Sequence, residues 1–299
     1  MLSKLQGQGL VVDPADTAVA LRYIEFIGAH RMKGYWYSSV DPVTKRFRLG
    51  QDNFQYLAQQ IHFDQELRAL LWVAMEKVEL AVRCSMGNYL SLQTSPHWFL
   101  DRSLFKHSNG WSFGQIIKKV EDEVGRSGER RPVKHYFDTY NEPYMPPSWV
   151  MSECVTLGFW SRTYQVLASP IHKRAISCKF GINQPEVFES WLHSITYLRN
   201  LVAPHGQILG VVLRIAPQNY KGQVKKQMVG VKGSPTTSLH LGSDTKCLHA
   251  AVKMMNFLMQ RSHLPNSTKS DLITLFAKYP TNFATSVGFA AGWENQPGW

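Results

Sequence analysis

Residues 190–206 have the sequence SWLHSITYLRNLVAPHG, and this stretch guides the interpretation of the whole chain. Its apolar residues recur every three or four positions, the spacing of one face of an α-helix. They are Trp191, Leu192, Ile195, Leu198, Leu201 and Val202. Arg199 and Asn200 follow Leu198, and His205 comes shortly after them. Arginine binds phosphate through a rigid fork of donors, and histidine exchanges protons near neutral pH. The stretch therefore predicts a buried helix that ends in a phosphate-binding, proton-exchanging site.

Helix geometry limits how Arg199 and His205 can act together. Six residues at about 100° each place their side chains about 120° apart on a straight helix. Pro204 lacks a backbone N–H and clashes with the carbonyl of Asn200, which predicts a bend that would let the two side chains converge. The alternative is that Pro204 and Gly206 end the helix and that His205 merely follows its end. The residues alone leave both interpretations open.

A long helix is predicted over residues 63–92, with an apolar stripe and a charged stripe beside it. The apolar stripe consists of Leu67, Leu71, Ala74, Val78, Val82 and Met86. Glu76, Glu79 and Arg83 are three, four and seven residues apart, so they share one face. One interpretation is a surface ion pair between Glu79 and Arg83. The other is that all three residues flank and orient the site of Arg199 and His205.

Other helical patterns complete an all-α prediction. They cover residues 13–34, 111–124, 149–167, 170–180, 245–261 and 270–279, while residues 208–215 fit a helix or a strand equally well. We therefore predict a helical bundle with peripheral helices and loops. A single domain is expected over residues 1–299. Its predicted parts are an N-terminal helical extension (1–60), a bundle core (61–262), and a C-terminal helix with an aromatic tail (263–299).

The charge balance favours a polyanionic partner such as RNA. The chain has 33 Lys and Arg against 22 Asp and Glu, a net charge of +11. Basic residues concentrate in two predicted insertions, near residues 101–135 and 217–246, and residues 125–132 are predicted to form a flexible basic loop. The candidate RNA-binding residues are Lys118, Lys119, Arg130 and Arg131, and the second insertion contains Lys221, Lys225, Lys226 and Lys232. Solvated loops carry such charges equally well.

Several functional classes lack their motifs in this sequence. The four cysteines are far apart, which argues against a zinc site or a disulfide framework and fits a reducing cytoplasm. The N-terminal residues have no apolar signal segment, and no run of apolar residues is long enough to span a bilayer. The histidines lack metal-ligand spacing, and neither a P-loop nor a GxSxG motif occurs. We therefore expect a cytoplasmic protein with no membrane association, no metal and no cofactor.

Several segments, taken in order, give the chain a resemblance to a known family. They are 5–10, 33–35, 64–68, 76–83, 146–150, Glu153, 157–159, Ser161, 198–200, His205, 288–289 and Trp293. In this combination the chain resembles the bacterial abortive-infection proteins (Abi-like, AbiD/AbiF type), a branch of the HEPN superfamily. It differs from many relatives in having Ala203-Pro204 before His205 and Gln207 soon after it.

The resemblance implies a HEPN-type four-helix bundle and metal-independent cleavage of RNA at an Arg-x(4–6)-His motif. Residues 199–205 match that motif as Arg-x5-His. It also implies a toxin-like effector in defence against phage, a homodimer whose sites face each other, and control by a small RNA or a protein antitoxin. Arg199, His205 and Asn200 are the predicted catalytic residues, and Glu76, Glu79 and Arg83 the supporting ones.

The predicted chemistry suits these side chains. The RNA 2′-hydroxyl attacks the adjacent phosphate, which requires one proton to be removed and another to be supplied. His205 can serve as the base or the acid, and Arg199 can hold the phosphate as its charge builds. Asn200 could orient the phosphate or His205, or it could cap the helix. Two other classes stay open: a catalytically inactive RNA-binding module, and a protein-interaction scaffold whose binding would be insensitive to salt.

Overall fold

The computed structural model describes residues 1–108, 110–222 and 238–299. Within those ranges the chain forms helices and a few isolated β-bridges but no strand, which confirms the all-α prediction. The α-helices are α1 (Leu2–Gly7), α2 (Thr17–Arg22), α3 (Ala29–Trp36), α4 (Phe54–Gln93), α5 (Phe113–Arg126), α6 (Arg131–Thr139), α7 (Ser148–Met151), α8 (Leu157–Val166), α9 (Pro170–Lys179), α10 (Pro185–Val202), α11 (Leu248–Arg261), α12 (Thr268–Ala277) and α13 (Thr281–Ser286). No helix in the described ranges is long and apolar enough to cross a membrane.

The 40-residue helix α4 is the central scaffold, and it packs against α3 and against each helix from α7 to α12. All six residues of its predicted apolar stripe are buried, which confirms the predicted face. The helix begins nine residues before the predicted start. There the Asn53 side chain accepts the Tyr56 amide at 2.6 Å, and Phe54 and Leu57 extend the buried face.

The helix α11 lies in the interior along almost its whole length. Every residue from Leu248 to Met259 is buried, as expected for a helix enclosed on all sides. Buried side chains from Leu5 to Trp293 form one connected core. Tertiary packing in this core, and not helix propensity alone, supports the short peripheral helices.

Four local predictions are wrong. The helix predicted over 13–34 is interrupted, because α2 ends at Arg22, α3 begins at Ala29, and Gly28 before α3 has a positive φ of 91°. The helix predicted over 149–167 is two helices, α7 and α8, separated by a turn. The basic loop predicted over 125–132 is short, because α6 begins at Arg131 and accommodates Pro132 in its first turn. Residues 208–215 form neither helix nor strand. Lys225, Lys226 and Lys232 of the second predicted basic insertion lie outside the described residues.

Candidate functional site

The helix α10 ends before His205. Its last residue is Val202, and the amides of Ala203 and His205 close the end on the carbonyls of Arg199 (2.9 Å) and Val202 (3.0 Å). The bend predicted at Pro204 is therefore wrong, because the helix stops there instead of continuing at an angle. His205 lies in the following turn with a left-handed backbone (φ 61°), a conformation that ends many helices.

A buried carboxylate holds the segment that follows His205. Asp64 Oδ1 accepts the backbone amides of Ile208 and Leu209 at 2.8 and 2.7 Å. Its Oδ2 accepts the Tyr35 hydroxyl at 2.9 Å and pairs with Arg68, one turn further along α4. The Asp64 side chain is fully buried, and four donors satisfy it.

Two arginines fix the backbone beside the histidine itself. Arg31 donates to the His205 carbonyl at 2.6 Å, and Arg68 donates to the Gly206 carbonyl at 3.3 Å. Gly206 is required sterically, since a Cβ atom there would lie 2.4 Å from the backbone oxygen of Leu201. The turn is therefore fixed by contacts to its main chain, while the His205 side chain is exposed and forms no hydrogen bond with the described residues.

Sequence reasoning did not assign Asp64 and Arg68 to the site. Both residues belong to one of the segments that carry the family resemblance, but no role was given to them. A signal was present in the spacing. Asp64, Leu67, Arg68 and Leu71 stand at positions i, i+3, i+4 and i+7 of a helix, so the two charged residues lie on the apolar face of α4. Charged residues on a buried face are expected to be paired and to serve a specific purpose.

Arg199 lines a cavity of about 370 Å³ between α10 and α4. Its guanidinium lies 5.6 Å from the centre of the Trp72 ring, and its Nε is 4.0 Å from Glu79 Oε2. Glu79 also accepts from Arg83 at 2.9 Å. The ion pair between Glu79 and Arg83 is thus present and adjoins Arg199, but its side chains are only 14% and 12% exposed, so it is not the surface pair of the first interpretation.

The same cavity contains balanced charges. Glu76 and Arg130 line it together with Glu153, which pairs with Arg83 at 3.5 Å and accepts Arg130 at its carbonyl at 2.8 Å. Three arginines and three glutamates therefore face one small space. The Nε atoms of Arg83 and Arg199 are buried with no acceptor among the described residues, so two donors beside this cavity lack a hydrogen-bond partner.

His205 lines a different cavity, of about 840 Å³, together with Phe26, Arg31, Arg68 and Trp72. Among the described residues, Trp72 alone lines both this cavity and that of Arg199. The residue is 42% exposed. Arg199 and His205 thus line two cavities that both include Trp72, and the two side chains do not share a cavity.

Asn200 faces away from both residues. It lines a third cavity, of about 530 Å³, with Arg162, Glu189 and His193. Consecutive residues of a helix point about 100° apart, which is why Arg199 and Asn200 face different neighbours. Asn200 is exposed there, and it contributes nothing to the cavity of Arg199.

The four candidate RNA-binding residues are dispersed. Arg130 lines the cavity of Arg199, and Arg131 is exposed at the start of α6. Lys118 is exposed on α5, whereas Lys119 pairs with Glu123 at 2.5 Å. Lys221, in the second predicted basic insertion, is exposed as well. In residues 1–108, 110–222 and 238–299, no three His, Cys, Asp or Glu side chains are grouped to hold a metal ion.

Comparison with known proteins gives one match. A family model described as Abi-like protein matches residues 22–209, more than half of the chain. The matched region includes α4, α10, Arg199, His205 and the segment that Asp64 holds. No curated protein and no solved structure matches.

Proposed function

Because this chain belongs to the Abi-like protein family, which indicates abortive-infection defence, we propose that it is a metal-independent endoribonuclease. Its site is the surface around Trp72, which lines both the cavity of Arg199 and that of His205. This pairing of a fixed cation with an exposed, unpaired histidine is the observation that carries the proposal. The enzyme acts in the bacterial cytoplasm, with RNA as its substrate.

In the proposed reaction, His205 and Arg199 act directly on the RNA. His205 removes the proton from the RNA 2′-hydroxyl, whose oxygen attacks the adjacent phosphorus, and the bond to the 5′-oxygen breaks. The leaving 5′-oxygen takes a proton from water, and the products end in a 2′,3′-cyclic phosphate and a 5′-hydroxyl. Arg199 donates to the phosphoryl oxygens, more strongly as their charge grows. Asp64, Arg68 and Arg31 position His205 through its backbone.

The proposal extends to assembly and control. A homodimer would bring two Trp72 surfaces face to face, so that Arg199 of one copy and His205 of the other could contact the same phosphate. This arrangement would join side chains that occupy separate cavities within one chain. A small RNA or a protein antitoxin that covers this surface would hold the activity in check.

A second function, an inactive RNA-binding module, has its own supporting observation. The cavity of Arg199 contains three glutamates beside three arginines, so Glu79 competes with a phosphate for Arg199. A phosphate held elsewhere on the basic surface would be bound without being cleaved. This module and the ribonuclease differ in whether RNA is broken.

One experiment separates these functions. Purified protein is incubated with RNA in EDTA, beside His205→Ala and Arg199→Ala. Cleavage to 2′,3′-cyclic phosphate ends is expected, with losses of about 10²–10⁴-fold for His205→Ala and about 10²–10³-fold for Arg199→Ala. The matched controls are His193→Ala, an exposed histidine of α10, and Arg46→Ala, an exposed arginine far from the site in sequence. Undiminished cleavage in both site variants would overturn the assignment, and binding without cleavage would establish the inactive module.

A further inference from the structure

A lysine in the interior of the protein has no counter-ion among the residues that the structure describes. Lys253 is in the middle of α11 and is only 4% exposed. No carboxylate or other acceptor among the described residues bonds to its ammonium group, and burial lowers the pKa of this lysine. His249, one turn away, adds no negative charge. Lysine is almost never buried to this extent unless a partner compensates its charge.

The Lys253 side chain lines a basic cavity of about 650 Å³. Arg261 and His240 line it as well, whereas no aspartate or glutamate does so among the described residues. His240 Nδ1 accepts the Gly242 amide at 3.1 Å, which leaves the proton of a neutral ring on Nε2 as a donor. The cavity thus offers several donors and no competing anion, unlike the charge-balanced cavity of Arg199.

The rest of the cavity wall is mixed: Ser238, Gln260 and Gln296 are polar, and an apolar part lies beside them. Leu239, Phe257 and Pro297 contribute to it, and the Arg261 guanidinium lies 5.2 Å from the centre of the Phe257 ring. A Cβ atom at Gly298 would lie 2.7 Å from a Leu239 methyl group and 3.1 Å from Lys253 Cε. Glycine at this position therefore lets the backbone approach the lysine and close one side of the cavity.

We propose that this cavity binds the phosphate group of a small phosphorylated ligand, with Lys253 as its principal partner. The volume of about 650 Å³ is within the range of small-molecule sites, and Leu239 and Phe257 give the cavity an apolar part beside its polar groups. A phosphate would supply the negative charge that Lys253 lacks, and Arg261 would provide the fork that suits phosphate oxygens. The apolar wall beside the cations suits a nucleobase attached to that phosphate. This site does not depend on the ribonuclease proposal.

Calorimetric titration of the full chain tests the proposal. The probes are inorganic phosphate and adenosine monophosphate, each at constant ionic strength. Binding is expected for both, and tighter binding of the nucleotide would identify a nucleotide site, whereas equal affinities would identify a site for the phosphate alone. Lys253→Met removes the charge and keeps the shape, so it should weaken binding by about tenfold or more. Lys246→Met, at an exposed lysine just before α11, should bind as the wild type does.

Two outcomes of this titration would overturn the proposal. One is that neither inorganic phosphate nor adenosine monophosphate gives binding heat, and the other is equal affinity in the wild type and Lys253→Met. If Lys253→Met does not fold, Arg261→Gln replaces it, because this exposed side chain can change without disturbing the core. Unaltered affinity in Arg261→Gln would then count against the site in the same way.

Discussion

The guanidinium of Arg199 lies over the indole ring of Trp72, 5.6 Å from its centre. This contact links the end of α10 to the exposed side of α4. A cation above an aromatic face is attracted by the ring's quadrupole, an interaction of about 0.5–2 kcal/mol depending on exposure. Trp72 therefore holds the arginine at the boundary between its own cavity and that of His205.

Replacing Trp72 by alanine should impair RNA cleavage in protein that still folds. The residue is 42% exposed, so its loss costs less stability than that of a fully buried tryptophan, and it frees Arg199 from its position. We expect a decrease in kcat/KM of about tenfold for Trp72→Ala and a smaller one for Trp72→Phe, which retains an aromatic face. Trp149→Ala, at a 58% exposed tryptophan, is the matched control and should cleave normally. Equal activity of Trp72→Ala and the wild type would show that the contact has no role.

Trp72 positions Arg199 to bind a phosphate, whereas the Glu79 carboxylate competes with a phosphate for Arg199. Glu79→Gln should tighten RNA binding and steepen its salt dependence, since two arginines lose their nearby carboxylate. It should also destabilise the protein by about 1–3 kcal/mol through the weakened bond to Arg83. Filter binding across a salt series measures the first effect and urea unfolding the second. Glu129→Gln, whose side chain is 98% exposed, serves as the control, and weaker RNA binding by Glu79→Gln would refute the competition.

Asp64 should determine both stability and the position of His205. Asp64→Ala removes the acceptor of two backbone amides and leaves Arg68 unpaired in the interior, which costs about 3–5 kcal/mol. Hydrogen exchange should then become fast at the amides of Ile208 and Leu209. Asp122→Ala, at an exposed aspartate of α5, should leave both properties unchanged. Slow exchange of the two amides in a folded Asp64→Ala protein would contradict this role.

Hydrophobic periodicity was sufficient to predict the main helices. The stripe of α4 and the apolar faces of α10 and α11 are regular over many turns, so their burial follows from spacing alone. The break between α7 and α8 could not be predicted in this way, since apolar residues continue across the turn. The extent to which α11 is enclosed also depends on partners that are distant in sequence.

The site was predicted in part. One of the two interpretations of Glu79 and Arg83 placed them beside Arg199, while helical spacing alone explains only why Glu79 and Arg83 share a face of α4. Convergence of Arg199 with His205 required the helix to bend at Pro204, but Pro204 ends it, and backbone contacts of Asp64 and Arg68 decide where His205 lies. Those contacts join α4 to a segment more than a hundred residues away. Local sequence patterns carry no information on such pairings, and the same is true of Lys253 in its cavity.

Acid should destabilise the protein through His249. Burial, and next the charge of Lys253, lower the pKa of this histidine to about 4 from its ordinary value of 6.5. The ring is neutral in the folded protein and accepts the Trp299 indole N–H at 3.2 Å. Between pH 6.5 and 4 the unfolded chain binds a proton that the folded chain does not, so stability rises with pH in this window. A shift of this size corresponds to about 3 kcal/mol lost on going from above pH 6.5 to pH 4.

The contribution of His249 can be isolated by comparing how the free energy of unfolding changes with pH in the wild type and in a variant. His249→Gln keeps an acceptor for Trp299 but cannot titrate, so its free energy of unfolding should vary less between pH 4 and 6.5 than that of the wild type. Urea unfolding at a series of pH values measures this difference. The carboxylates are common to both proteins, so their contribution to the pH dependence cancels when the two are compared. His30→Gln, at an exposed histidine of α3, should retain the wild-type slope. If His249→Gln and the wild type lose stability equally on acidification, the histidine is not the group responsible, because the substitution removes its titrating ring.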